Sequence, residues 1–83
     1  MIKIRYFGSL KETLNTTEEQ LDWQKGLTTD KLLQELRQRD ATWAEALAEK
    51  NVFRLVVNQQ VVYQPVAIKE GDEVAVLPPV TGG

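Results

Sequence analysis

The chain contains no cysteine and no histidine, and that double absence removes whole classes of chemistry. A disulfide framework needs paired cysteines, and zinc or iron–sulfur sites draw on cysteine or histidine ligands. Ser-His-Asp and Cys-His arrangements fall with them. Charge of one sign is lacking too: ten Lys+Arg stand against twelve Asp+Glu, a net of −2. No basic stripe offers itself for phosphate neutralisation, so nucleic acid is not an expected partner. Apolar runs stay far short of the roughly 20 residues a membrane span needs. Lys3 and Arg5 stand where a signal peptide would carry its apolar region. The expectation is a cytoplasmic protein with no metal site, bound to neither nucleic acid nor membrane. Its chemistry must rest on carboxylates, lysines, hydroxyls or its own termini.

What is present is ordinary for one folded domain: 83 residues, 42% hydrophobic and 27% charged. At this length a single small core must serve. Ile2, Ile4 and Tyr6 alternate with Lys3, Arg5 and Phe7, which predicts a first strand. Gly8-Ser9 breaks it. Ser9 and Glu12 have capping-box spacing, with Leu10 and Leu14 seating a short helical turn. Glu19, Leu21 and Trp23 alternate with Glu18, Gln20 and Asp22, a second strand whose Glu18-Glu19 start reads as solvated. Thr28 or Thr29 is placed to cap the main helix, about residues 29–39, with Leu32, Leu33 and Leu36 on its apolar face. Asp40 or Thr42 would cap a second helical stretch carrying Trp43, Ala46 and Leu47.

Val52 to Val57 is apolar apart from Arg54 and reads as a central strand buried on both faces. Asn58-Gln59 supplies a turn into Val61-Val62-Tyr63, and Gly71-Asp72 leads into a last strand, Glu73 to Leu77. Pro78-Pro79 then stops sheet pairing, since neither residue has an N–H to donate. The order β, β, α in two pieces, β, β, β gives an α+β domain with the helix across one sheet face. It is the order of the β-grasp, ubiquitin-like fold. The expected division is a domain over residues 1–77 and an extended tail over 78–83. In that fold Ile4, Leu33 and Val56 are expected to share one core.

The tail, Pro78-Pro79-Val80-Thr81-Gly82-Gly83, is the most informative segment. Two prolines make a stiff polyproline-like stem, and the last four residues can reach about 13 Å beyond it. A rigid stem ending in residues without side chains suits a narrow channel. Together with Met1-Ile2-Lys3-Ile4, Tyr6-Phe7-Gly8, Trp43 to Leu47, Val57-Asn58-Gln59 and Glu70 to Ala75, this end resembles the family of small, sulfur-carrier subunits of molybdopterin synthase. Gln59-Gln60 departs from the family, where a glycine is frequent in the hairpin.

The resemblance implies a carrier without catalytic power of its own. An E1-like adenylating enzyme would use ATP and magnesium, neither held by this chain, to form a glycyl adenylate on Gly83. A persulfide sulfur would then displace AMP to leave a thiocarboxylate, a 1-thioglycine. Gly82, Thr81, Val80, Pro79 and Pro78 would insert into the large catalytic subunit, two small and two large subunits forming a heterotetramer. There the sulfur would pass to cyclic pyranopterin monophosphate and build the molybdopterin dithiolene.

Strand parity gives a separate clue to partner binding. Phe7 falls on the face of Lys3 and Arg5, and Leu77 on that of Glu73 and Ala75. In a β-grasp sheet these strands are neighbours, so Phe7 and Leu77, with Val61, would form an apolar patch at the root of the tail. The resemblance places the partner-facing surface in the same region. Trp23 and Trp43 read as core residues rather than ligand stackers. Asp72 and Glu73 are adjacent on a strand and point apart, which does not suit acid–base catalysis. Two other readings stand beside the first: a carrier for thiamine or another thiolation pathway, and a ubiquitin-like interaction module without sulfur chemistry. Length and the Pro-Pro-Val-Thr-Gly-Gly end favour the first reading over the second, and the ending at the second glycine favours both carriers over the interaction module.

Overall fold

A computed structural model describes residues 1–51 and 53–78. Along them run β1 (Ile2–Tyr6), α1 (Gly8–Leu14), β2 (Glu18–Leu21), α2 (Thr29–Arg37), α3 (Ala41–Ala46), β3 (Arg54–Val57), β4 (Gln60–Val62) and β5 (Glu73–Leu77). The expectations for Pro79, Val80, Thr81, Gly82 and Gly83, and for Val52 as a strand start, lie outside the described residues.

The strands form one sheet in the order β2-β1-β5-β3-β4. β1 and β5 pair in parallel at its centre, and the other ladders are antiparallel. The intervening helices supply the crossover that a parallel pair requires. This is the expected α+β, ubiquitin-like β-grasp arrangement. Ile2, Ile4 and Tyr6 from β1, and Val74 and Val76 from β5, are nearly inaccessible. They meet Leu32 and Leu36 of α2, Trp43 of α3, Leu47 and Ile68 in one cluster. No helix among the described residues is long and apolar enough to cross a membrane.

β3 corrects the sequence reading. Leu55 is buried and Val57 packs against the core, but Arg54 is exposed and Val56 only half-buried. A run of β-branched residues looks the same whether one face or both are covered. Here the helices lie on one face, and Val56 falls on the other, in register with Ala75. Ile4 and Val56 therefore do not share a core, and Leu33 sits at its margin.

The helix starts also differ in detail. The Ser9 capping box does not form. Phe7 extends the strand by donating its N–H to the Val76 carbonyl at 3.2 Å. Gly8, at φ +57°, then turns the chain straight into α1, leaving Ser9 inside the first turn. Asn15, at φ 51°, closes that helix, with the N–H groups of Asn15 and Thr16 reaching the Glu12 and Lys11 carbonyls. Thr28 occupies the N-cap of α2, yet its hydroxyl binds Asp30 rather than a backbone N–H. Thr29 is buried instead, exchanging backbone and hydroxyl hydrogen bonds with Val66. Asp40 is the cap of α3, accepting from the Trp43 N–H at 3.0 Å. Asn58 and Gln59 both take positive φ, 49° and 70°. That is a two-residue primed hairpin turn, made here without glycine.

Glu19 is not a solvated strand start. Its carboxylate accepts the Tyr6 hydroxyl at 2.7 Å and both Arg39 terminal nitrogens at 2.8 and 2.7 Å. The Arg39 guanidinium also lies 4.4 Å from the Trp43 ring centre, and Trp43 meets Tyr6 edge-on. Partial burial alone would raise the Glu19 pKa, but the Arg39 and Tyr6 hydrogen bonds outweigh it and hold the group below its ordinary value. Such a group contributes stability that is complete above its unfolded pKa and is lost as pH falls through the folded one. Glu19→Gln is therefore expected to lower Tm at neutral pH and to flatten the decline of Tm between about pH 5 and pH 3. Thermal melts across that range check it, and curves that stay parallel for the two proteins would contradict it.

Candidate functional site

The sheet face opposite the helices carries the residues singled out for partner binding. The ladder registers align Glu18, Arg5, Ala75, Val56 and Val61 in one row from β2 to β4. One row nearer the end of β5, Phe7 continues β1 beside Leu77, and Leu77 faces Arg54. Phe7 and Leu77 are half-buried, and Val61 is 44% exposed. The three expected residues thus lie on one face, Phe7 and Leu77 adjacent and Val61 two strands beyond β5. Val56 bridges that gap. Sequence reasoning missed it because it assigned all of β3 to the core, and strict alternation from Leu55 would have found it.

Tyr63 was missed as well. It directly follows β4 and is 82% exposed, unusual for so large a side chain. The Arg54 guanidinium stands 5.7 Å from its ring centre, and Arg5 stands 5.1 Å from the Phe7 ring. Around the apolar middle lie charges held to one another: Lys3 with Glu18 at 3.1 Å and Arg5 with Glu73 at 3.8 Å. The face is an apolar strip with a polar border, the layout of a docking surface.

The root of the tail is seated. Pro78 lies so close to Gly8 that a Cβ added there would meet the Pro78 ring at 2.8 Å. A cleft of about 250 Å³ beside it is lined by Leu10, Ala46, Asn51 and Phe53, among others. Of the tail residues only Pro78 is described, half-buried directly after β5. The far end of β5 is fixed too. Asp72 accepts the Lys69 N–H and the Asn58 side-chain amide, both at 2.8 Å, and these bonds hold its pKa below the ordinary value. Glu73 turns toward Arg5 on the open face. Neither carboxylate faces the other across a cleft, so the pair does not suit acid–base chemistry. The arrangement can dock a protein through its apolar strip.

The ThiS family model matches residues 4–83. The chain is 34% identical over 83 residues to a molybdopterin synthase sulfur carrier subunit of Haemophilus influenzae, with both chains covered completely. It is 36% identical over 85 residues to a protein of the same description from Escherichia coli, again with both covered completely. Its fold superposes on the small archaeal modifier protein 1 of Methanosarcina acetivorans with a TM-score of 0.75, covering 99% of this chain and 95% of the other. Identity there is 23%, so that likeness speaks to the fold alone.

Proposed function

Because the chain belongs to the ThiS family, we propose that it carries sulfur as the small subunit of a molybdopterin synthase. The observation that carries this reading is the full-length match to two sulfur carrier subunits. An open apolar face leading directly to the root of a Pro-Pro-Val-Thr-Gly-Gly tail supports it. Carriers for thiamine or other thiolation, and interaction modules without sulfur chemistry, are alternatives that those relatives do not favour.

The chemistry falls on Gly83. A carboxylate is a poor electrophile, because its charge repels nucleophiles and oxide is a bad leaving group. An E1-like partner joins the Gly83 carboxylate to the α-phosphate of ATP, with magnesium, and releases pyrophosphate. The outer sulfur of a persulfide then attacks the carbonyl and expels AMP. A second thiol attacks the donor sulfur of the resulting acyl disulfide, releasing the thiocarboxylate and leaving the donor as a disulfide. The carrier itself contributes no cysteine or histidine, in keeping with its composition. Val80, Thr81 and Gly82 thread the terminus into the large subunit of a two-plus-two heterotetramer. The thiocarboxylate sulfur displaces an oxygen substituent of cyclic pyranopterin monophosphate there. Water hydrolyses the resulting thioester to return the Gly83 carboxylate and leave the sulfur on the pterin, and two such deliveries complete the dithiolene. The carrier holds the nucleophile, and the large subunit holds the catalytic groups.

Phe7, Leu77 and Val61 dock the carrier on its partners. Apolar anchors in a desolvated patch dominate such interfaces, each costing about 2 kcal/mol or more when truncated. Phe7→Ala is expected to weaken binding to the large subunit at least about tenfold, with the melting curve nearly unchanged. Calorimetric titration beside thermal melts tests this. Unchanged affinity would contradict the docking face, and so would an unfolded variant, which would make Phe7 a core residue.

A further inference from the structure

Arg5 and Arg54 lie on either side of β5, on its two neighbouring strands. Each is stacked near an aromatic ring of the same open face, Phe7 and Tyr63 respectively. Their surroundings differ. Arg5 has Glu73 at 3.8 Å, while Arg54 forms no ion pair among the described residues. Arg54 also sits directly opposite Leu77, the last strand residue before the tail.

Charge on this face runs against the charge of the molecule. The chain as a whole carries −2, yet Lys3, Arg5 and Arg54 outnumber Glu18 and Glu73 here. The ion pairs of Lys3 and Arg5 leave Arg54 as the excess cation, beside the apolar strip. A partner that buried this strip would take water from the Arg54 guanidinium. That is costly unless a carboxylate replaces the water. The planar guanidinium matches a carboxylate with two parallel hydrogen bonds, and its stack on Tyr63 limits the rotamer freedom lost on pairing.

We infer that Arg54 is a specificity-determining contact, which selects a large synthase subunit presenting a carboxylate opposite it beside an apolar centre. The inference rests on the proposed function, since it takes the large subunit to be the occupant of this face. Arg5 plays a lesser part, because Glu73 already satisfies its charge in the free carrier. Discrimination follows from the same physics: a partner with a neutral or basic group at that point leaves Arg54 buried and unpaired.

The test is calorimetric titration of the carrier against the large subunit from the same organism, at low and high salt. Arg54→Glu is expected to weaken binding at least about tenfold at low salt and to reduce the salt dependence of affinity. Arg54→Lys should retain most of the salt dependence while losing affinity, because it keeps the charge and loses the planar fork. A single Asp or Glu→Arg change on the large subunit should restore binding to Arg54→Glu. Phe7→Ala is the control for the face itself. Loss of affinity in Phe7→Ala with none in Arg54→Glu would overturn the carboxylate contact and leave the docking face standing. Unchanged affinity in both variants would overturn the docking face and the Arg54 contact together. A native carrier that does not bind the large subunit at all would overturn the proposed function.

Discussion

Leu36→Ala is expected to remove about 2–5 kcal/mol of folding stability. Leu36 is fully buried on α2, within the cluster formed by β1, β5 and the helices. Truncation loses the transfer energy of the side chain and leaves a cavity that the surrounding elements only partly fill. Domains of this kind have about 5–15 kcal/mol in total. The loss corresponds to a fall in Tm of very roughly 10–30 °C at this size. Leu33→Ala, at the core margin, should cost clearly less. Chemical denaturation of the two variants measures the difference, and equal losses would contradict the helix orientation.

Much of this architecture could be read from the sequence, because local pattern and tertiary context agree in most of it. The alternation of Ile2, Ile4 and Tyr6 and the spacing of Leu32 and Leu36 mark faces that are buried in the fold. β5 has the bounds its flanking Gly71-Asp72 and Pro78 imply. The misreadings share a cause, which is that each depended on a partner distant in sequence. Glu19 looks solvated until Arg39, twenty residues on, folds back over it. Val56 looks buried until the helices are known to occupy only one face. Thr29 looks like a cap until Val66 takes its hydroxyl. At the docking face, parity places Phe7 and Leu77 together, with Val61 joined to them, and the family resemblance points to the same surface. Alternation through Val61-Val62-Tyr63 puts Tyr63 on the face of Val61, so the same parity marks it, while its high exposure comes from directly following a three-residue edge strand.

Appending one residue after Gly83, or deleting Gly83, is expected to abolish molybdopterin formation while fold, Tm and most of the partner affinity survive. An added residue turns the reactive carboxylate into an amide, which no longer offers an oxygen for adenylation. It also moves the new carboxylate about 3.3 Å beyond its working depth, and deletion draws the terminus back by the same distance. A misplacement of only about 1 Å can already cost around 10²-fold in rate. Substituting Gly82 or Gly83 with alanine is a milder version of the same insult. The Cβ crowds the channel and removes conformations open only to glycine. Binding should persist because Phe7, Leu77 and Val61, all on the sheet, are unchanged. Reconstitution with the adenylating enzyme, a persulfide donor, ATP, magnesium, the large subunit and cyclic pyranopterin monophosphate reads the outcome as molybdopterin formed. Full turnover by the extended chain would contradict a role for the Gly83 carboxylate.

The most direct measurement is the intact mass of the native chain after incubation with the adenylating enzyme, ATP, magnesium, a persulfide donor and a thiol reductant. The expected result is one oxygen replaced by one sulfur, mapped by peptide fragmentation to Gly83 and absent when ATP is withheld. A chain that binds its partner yet never gains that sulfur, while a known carrier loads under the same conditions, would contradict the account.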